Sequence, residues 1–176
     1  MPIARNIAPA NTSERAQAAL ILPQLPSGGV NMHDRGYPSY DYIDEHLKSY
    51  DGYFLFRCPA TSTFAAVKRF IQSQKEEDSI YILPSGSMKK SRDLTEMLDR
   101  RVIKLRVIKL LSSDGTLSVL LTNLHNRKRY PREEIIDLYF RRWAVETYYR
   151  DEKETMQIET FHGVRLFTCL ISPIQL

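Results

Sequence analysis

Short apolar runs alternate with polar turns along the chain, and that rhythm sets out its elements. Ser13 is suited to capping a helix, and Glu14, Ala16, Ala18, Ala19, Leu20 and Leu22 behind it are good helix formers. Pro23 and Pro26 stop that helix, and Gly28-Gly29 turn the chain into a short strand, Val30 to His33. Gly36 permits a sharp bend just beyond this strand. Tyr42, Ile43, Leu47 and Tyr50 recur at the spacing of one helix face, which predicts a helix from Tyr40 to Tyr50 with Ser39 as its cap. After the Asp51-Gly52 turn, Tyr53 to Cys58 is continuously apolar, the pattern of a strand covered on both faces. Strand, helix, strand over residues 30–58 implies an α/β layer with parallel neighbours.

The flanks read differently. Residues 1–12 hold two prolines and no periodicity, which predicts an irregular tail. Residues 59–131 read as a mainly β insertion. Phe64 to Gln74 is a helical stretch there, Ile80 to Leu83 a strand, and Val102–Leu111 with Thr116–Leu124 a hairpin joined by Ser112-Ser113-Asp114-Gly115. Within it RVIKL at 101–105 is repeated at 106–110. Five is odd, so Ile103 and Leu105 face one side of a strand and Ile108 and Leu110 the other, and simple alternation calls for a bulge. The repeat reads either as a basic strand for a phosphate backbone or as a short duplication tolerated in a hairpin. From Pro131 a long helix is predicted over 132–155, with Glu133 and Glu134 at its positive end.

Charge changes this picture more than composition does. The 176 residues are 43% hydrophobic and 26% charged, an ordinary globular balance for one domain. The net charge of +4 is unevenly placed: residues 1–88 carry −1, residues 89–132 carry +8 and residues 133–176 carry −3. A basic middle block points to an anionic partner such as nucleic acid, or to a solvated basic face. Cys58 and Cys169 are too few for a disulfide framework and lack metal-site spacing. No apolar stretch is long enough to span a bilayer and the start is no secretory signal, so a cytoplasmic protein with reduced thiols is expected.

Candidate chemistry lies on the long helix. Tyr139, Arg142, Glu146 and Lys153 stand at offsets 0, 3, 7 and 14. At 100° per residue they fall within roughly 60° of one another. One stripe therefore carries a phenol, a guanidinium, a carboxylate and an ammonium. By geometry alone this is either an amphipathic helix with an Arg–Glu pair or a phosphodiester site. In the second case a carboxylate holds Mg²⁺ and flanking cations hold phosphates.

These four residues, with the string Leu121-Thr122-Asn123-Leu124 upstream, resemble the DDE transposases of bacterial insertion sequences. The match is to the group with a Tyr-x2-Arg-x3-Glu-x6-Lys signature, typified by insertion sequence four. Asp34-Arg35-Gly36-Tyr37 is similar to that group's second catalytic Asp region, and the resemblance runs from about residue 14 to residue 163. It implies a ribonuclease-H-like α/β fold. Residues 13–58 and 132–163 would be parts of the catalytic core, with the 59–131 insertion before the last helix and 164–176 an atypical tail. Asp34 and Glu146 would be catalytic, metal-binding carboxylates. Tyr139, Arg142 and Lys153 would contact transposon-end DNA. In the complete enzyme two Mg²⁺ ions, roughly 3.5–4 Å apart, would clamp the scissile phosphate. The implied partners are double-stranded DNA and, in the complete enzyme, further copies of the protein, with no membrane.

The family's first catalytic Asp lies on a strand well upstream of the Asp-Arg-Gly region. Residues 1–33 contain no Asp, and their one acid is Glu14 on a predicted helix. The expectation is a truncated member, inactive by itself, whose Asp34 and Glu146 approach each other while Tyr139, Arg142 and Lys153 face one cleft. His162 has no Ser or Cys motif beside it and reads as structural. The rival reading is a non-enzymatic DNA-binding module using the basic insertion. A stand-alone nuclease would need the full carboxylate set.

Overall fold

The computed structural model describes residues 4–9, 12–61, 64–84, 102–112, 115–141 and 166–171, with backbone alone for the first and last of these segments. Its centre is a five-stranded mixed sheet in the order β2-β3-β6-β5-β4. The strands are β2 (Val30–His33), β3 (Tyr53–Pro59), β4 (Glu77–Ile82), β5 (Ile103–Leu111) and β6 (Leu117–Thr122). β2 and β3 are parallel, with Val30 opposite Tyr53 and His33 opposite Phe56, and the other neighbours are antiparallel. Helices α1 (Glu14–Ile21), α2 (Tyr40–Ser49), α3 (Ala65–Gln72) and α4 (Arg132–Phe140) complete the α/β architecture. None of the described helices is long and apolar enough to cross a membrane.

Side-chain alternation builds two cores from one sheet. Phe54, Phe56, Cys58, Leu105, Val107, Val119 and Leu121 face α1, α2 and α3, and Val30, Leu55, Ile108, Leu110 and Leu120 face α4 with its Ile135, Leu138 and Tyr139. The continuously apolar run of β3 follows directly: odd and even positions are both covered. The same double cover resolves the RVIKL repeat. Ile103 and Leu105 do face one side and Ile108 and Leu110 the other, but no bulge interrupts the ladder, which is continuous from Glu77↔Ile108 to Ile82↔Ile103 and from Arg106↔Thr122 to Leu111↔Leu117. From Leu105 to Ile108 consecutive residues are buried on both faces, so at the point of inversion there is no solvent side to which the pattern would be misdirected.

Two further expectations change. β1 (Ala4–Pro9) and β7 (Leu166–Ile171) form an antiparallel pair, where an irregular tail was expected at the chain's start. Pro9 is the last paired residue, a strand end where a missing amide is tolerated. Strands β4 to β6 from the 59–131 segment extend the central sheet itself, because β6 pairs along β3 from Leu55↔Thr122 to Pro59↔Ser118. The basic segment is thus part of the core sheet as well as a carrier of charge. Beyond Arg141, the predicted helix lies outside the described residues.

The Leu121-Thr122-Asn123-Leu124 string has a structural use. Where β6 ends, side chains continue the pairing with β3: Thr122 Oγ1 donates to Phe54 O at 2.6 Å and accepts from the Leu124 amide at 3.1 Å. Asn123 Oδ1 accepts from the Phe54 amide at 3.0 Å while its Nδ2 donates to Gly52 O at 3.1 Å. Asn123→Ala strands a backbone donor and an acceptor together. It is expected to cost about 1–3 kcal/mol in urea unfolding. A change within ±0.5 kcal/mol, typical of surface sites, would remove this account.

Candidate functional site

Asp34 follows the last residue of β2, at the carboxyl end of the parallel pair. Open α/β sheets place ligands at that end. Val30 and Met32 pack with the α4-side cluster, so strand alternation continued by two residues assigns Asp34 to the same face. Its Oδ1 is shielded from solvent. The turn is tied by the Tyr37 amide, which donates to Asp34 O at 3.1 Å. Before it, the His33 ring is 5% exposed, with Tyr37 and Phe56 rings at 4.8 Å and the Tyr42 ring at 5.3 Å. Tyr42 comes from the first turn of α2, which begins where Ser39 Oγ accepts from the Tyr42 amide at 3.3 Å, as the capping pattern predicts.

A polar cluster beneath this turn went unseen in the sequence. His46 is fully buried and its Nε2 lies 3.1 Å from Asn31 Nδ2, which donates to it. His33 Nε2 lies 3.3 Å from the Tyr42 hydroxyl. Burial holds both imidazoles neutral: His46 is lowered to about 4, and His33 falls well below 6.5 through burial and then the neighbouring His46. Helical spacing signalled that position 46 lies between Ile43 and Tyr50, but a lone His gives no sign of a buried partner.

The other predicted site residues divide. Tyr139 is 3% exposed and belongs to the α4-side core, so an open cleft is not where its ring lies. The reason is the register of α4, which turns Ile135, Leu138 and Tyr139 together against the sheet. Arg142, Glu146 and Lys153 lie outside the described residues. Among the described residues no group of three or more His, Cys, Asp and Glu could hold a metal ion. The donor set still suits magnesium, which takes oxygen ligands and is commonly held by one or two carboxylates together with substrate phosphates.

The basic block proves partly internal. Arg106 is 1% exposed and donates to Leu124 O at 3.0 Å, Tyr130 O at 2.7 Å and Glu77 Oε2 at 2.8 Å. Glu77 also pairs with Arg127. Lys109 Nζ donates to Ser73 O at 2.6 Å and lies over the Phe70 ring. A strand offering these two cations to a phosphate backbone is therefore ruled out for Arg106 and Lys109. Exposed cations remain at Lys104, Arg127, Lys128 and Arg129. Asn126 Oδ1 fixes the turn that carries the last three by accepting from the Lys128 and Arg129 amides. His125 beside them is lowered by burial and by Lys104 and Arg106, which registers a positive local field. In register this turn adjoins the Tyr53 end of β3, the end of the sheet away from Asp34.

A mixed α/β sheet with a carboxylate at the end of its parallel pair is the class of protein these observations define. The transposase DDE domain family matches residues 1–167, and the chain belongs to that family. Comparison with curated proteins and with solved structures gives no match.

Proposed function

We propose that the chain is part of a ribonuclease-H-like transposase of the insertion sequence four group, acting in metal-dependent cleavage and transfer of DNA strands. Asp34, directly after β2 at the carboxyl end of the parallel pair, is the observation that carries this reading. α4 starts beside the opposite end of the sheet, where Tyr130 meets Tyr53. A helix continued from Arg132 to Glu146 advances about 21 Å. From Tyr53 to Arg57, the position level with Asp34 in the register of β2 and β3, the strand spans about 13 Å. The Tyr-x2-Arg-x3-Glu-x6-Lys spacing thus has the reach to bring Glu146 to Asp34.

In this reading Asp34 and Glu146 hold Mg²⁺, and Arg142 and Lys153 neutralise phosphates on either side of the cut. Tyr139, buried with α4 down to its hydroxyl, acts by fixing that helix against the sheet. The bound ion supplies Lewis-acid polarisation of the phosphate and a more acidic attacking water. Residues 1–33 hold no Asp, so the family's first carboxylate has no counterpart there.

Mn²⁺ titration tests the shared site. Asp34→Asn and Glu146→Gln should each remove most of the binding, and the double variant should add little, because residues of one site are not additive. Additive losses, or none, would defeat the assignment. In a Mg²⁺ strand-cleavage assay the chain alone should not cut, and Glu146-dependent cutting would show that a first carboxylate is present after all.

A second reading, DNA binding without chemistry, is favoured by the exposed Arg127-Lys128-Arg129 turn. DNA affinity should then fall steeply with salt, and replacing all three by Ala should lower the log–log slope by roughly 0.9 for each phosphate no longer neutralised. An unchanged slope would remove the turn from the interface.

A further inference from the structure

We propose that Tyr37 is a positioning residue that sets the turn from which Asp34 offers its carboxylate to a divalent cation. The inference rests on Asp34 being a metal-binding residue and extends that reading to a residue it does not include.

The turn is short and is held at both ends. Its entry is His33, immobilised by burial, by the Phe56 ring at 4.8 Å and by the Tyr42 hydroxyl at 3.3 Å from Nε2. Its exit is Tyr37, whose ring folds back on His33 at 4.8 Å with the planes 42° apart, and on Tyr42 at 5.8 Å. The Tyr37 amide closes the ring of main-chain atoms onto Asp34 O at 3.1 Å. Pro38 follows and restricts the Tyr37 backbone to extended conformations. Ser39 then caps α2, the helix that supplies Tyr42. Asp34, Arg35 and Gly36 are therefore suspended between two aromatic rings that touch each other.

Gly36 sharpens the argument. A Cβ placed there would meet nothing within 4 Å, so open space lies on that side of the turn. Nor does the main chain of Asp34–Gly36 belong to any strand or helix. The closure at 33 and 37 holds the main chain from which the Asp34 side chain departs. Without the stacked rings, the amide-to-carbonyl bond alone spans a glycine-containing loop. Groups that orient a metal ligand without touching the metal commonly change affinity by 10–100-fold.

The test is Mn²⁺ binding by the full chain, read from the electron paramagnetic resonance signal of the free ion, with thermal unfolding on the same samples. Wild type and Asp34→Asn establish the site. Tyr37→Phe keeps the ring and should bind within about twofold of wild type. Tyr37→Leu should bind about tenfold more weakly at a thermal midpoint where the protein is still folded. Should Tyr37→Leu unfold, Tyr37→Met carries the test, since it fills apolar space without a planar ring.

Asp34→Asn weakening binding while folded Tyr37→Leu or Tyr37→Met binds like wild type would overturn the positioning role alone. Wild-type binding by Asp34→Asn, or no binding by wild type, would overturn the metal-site reading and this inference with it. Weakening by Tyr37→Phe equal to that of Tyr37→Leu would also overturn it, because the ring would then not be the part that acts.

Discussion

Arg106→Leu is expected to lower the free energy of unfolding by about 3–5 kcal/mol, the range seen when one partner of a buried charged pair is removed. Three acceptors depend on this guanidinium: the carbonyls of Leu124 and Tyr130 and the Glu77 carboxylate. The leucine would fill much of the space and leave those oxygens without their donor, and buried unsatisfied groups are costlier than missing bonds. Glu77 keeps Arg127, which moderates the loss at that one acceptor. Arg106→Lys should recover little, since an ammonium cannot spread donors across acceptors on three separate segments as a planar fork does. Lys104→Leu, at an exposed position two residues away, should stay within ±0.5 kcal/mol. Urea unfolding with slopes compared among the variants decides it. Equal losses at 104 and 106 would show that strand β5 tolerates the change and that Arg106 is no keystone.

That prediction marks where the sequence ceases to be legible. The bounds of β2, α2 and β3 could be read closely, because a cap residue, a four-residue apolar spacing and a continuous apolar run each have one local physical cause. The opposed faces of Ile103/Leu105 and Ile108/Leu110 follow from the period of a strand. That no bulge was needed does not, since it depends on helices covering both faces of the sheet. Arg106 reads along the chain as one cation of a basic block. Its burial is settled by Glu77 and by two carbonyls at residues 124 and 130, all remote in sequence. Asn31 and His46 are likewise a pair only across the parallel strand–helix packing. For the candidate site, Asp34 could be singled out from its place after a strand and before Arg-Gly-Tyr, whereas the ring packing between His33 and Tyr37 needed the turn's conformation. For Tyr139 the helical wheel gives a stripe shared with Arg142, Glu146 and Lys153 and not the direction in which the sheet lies, so its burial could not be read from spacing.

Acid should destabilise the protein well before its carboxylates are protonated, and the buried imidazoles supply the reason. In the unfolded chain a histidine takes up its proton near 6.5, whereas folded His46 does so only at about 4. Between those values the unfolded state holds the extra proton, so stability falls as pH falls. The contribution is complete above pH 6.5, declines through the window and is exhausted below pH 4. The interval corresponds to about 3 kcal/mol, since each pH unit is worth 1.36 kcal/mol per proton. His33 adds a second proton in the same direction, because its environment is also desolvated and a charge on His46 would oppose its own. Around His46 lie the rings of Tyr50 and Phe54 at 5.1 Å, Phe56 at 5.8 Å, His33 at 6.3 Å and Tyr42 at 6.4 Å, together with the Asn31 amide. The slope of unfolding free energy should therefore exceed the one proton's worth from His46, about 1.4 kcal/mol per pH unit, near the middle of the window. His46→Gln keeps an acceptor for Asn31 and cannot titrate, so its profile should lose about one proton of slope between pH 6.5 and pH 4. His125→Gln, at a site whose own lowering acts in the same direction, should leave most of the slope in place. Parallel profiles for wild type and His46→Gln, measured by urea unfolding at pH 7.5, 6 and 5, would mean that the buried imidazole is not what makes the fold acid-sensitive.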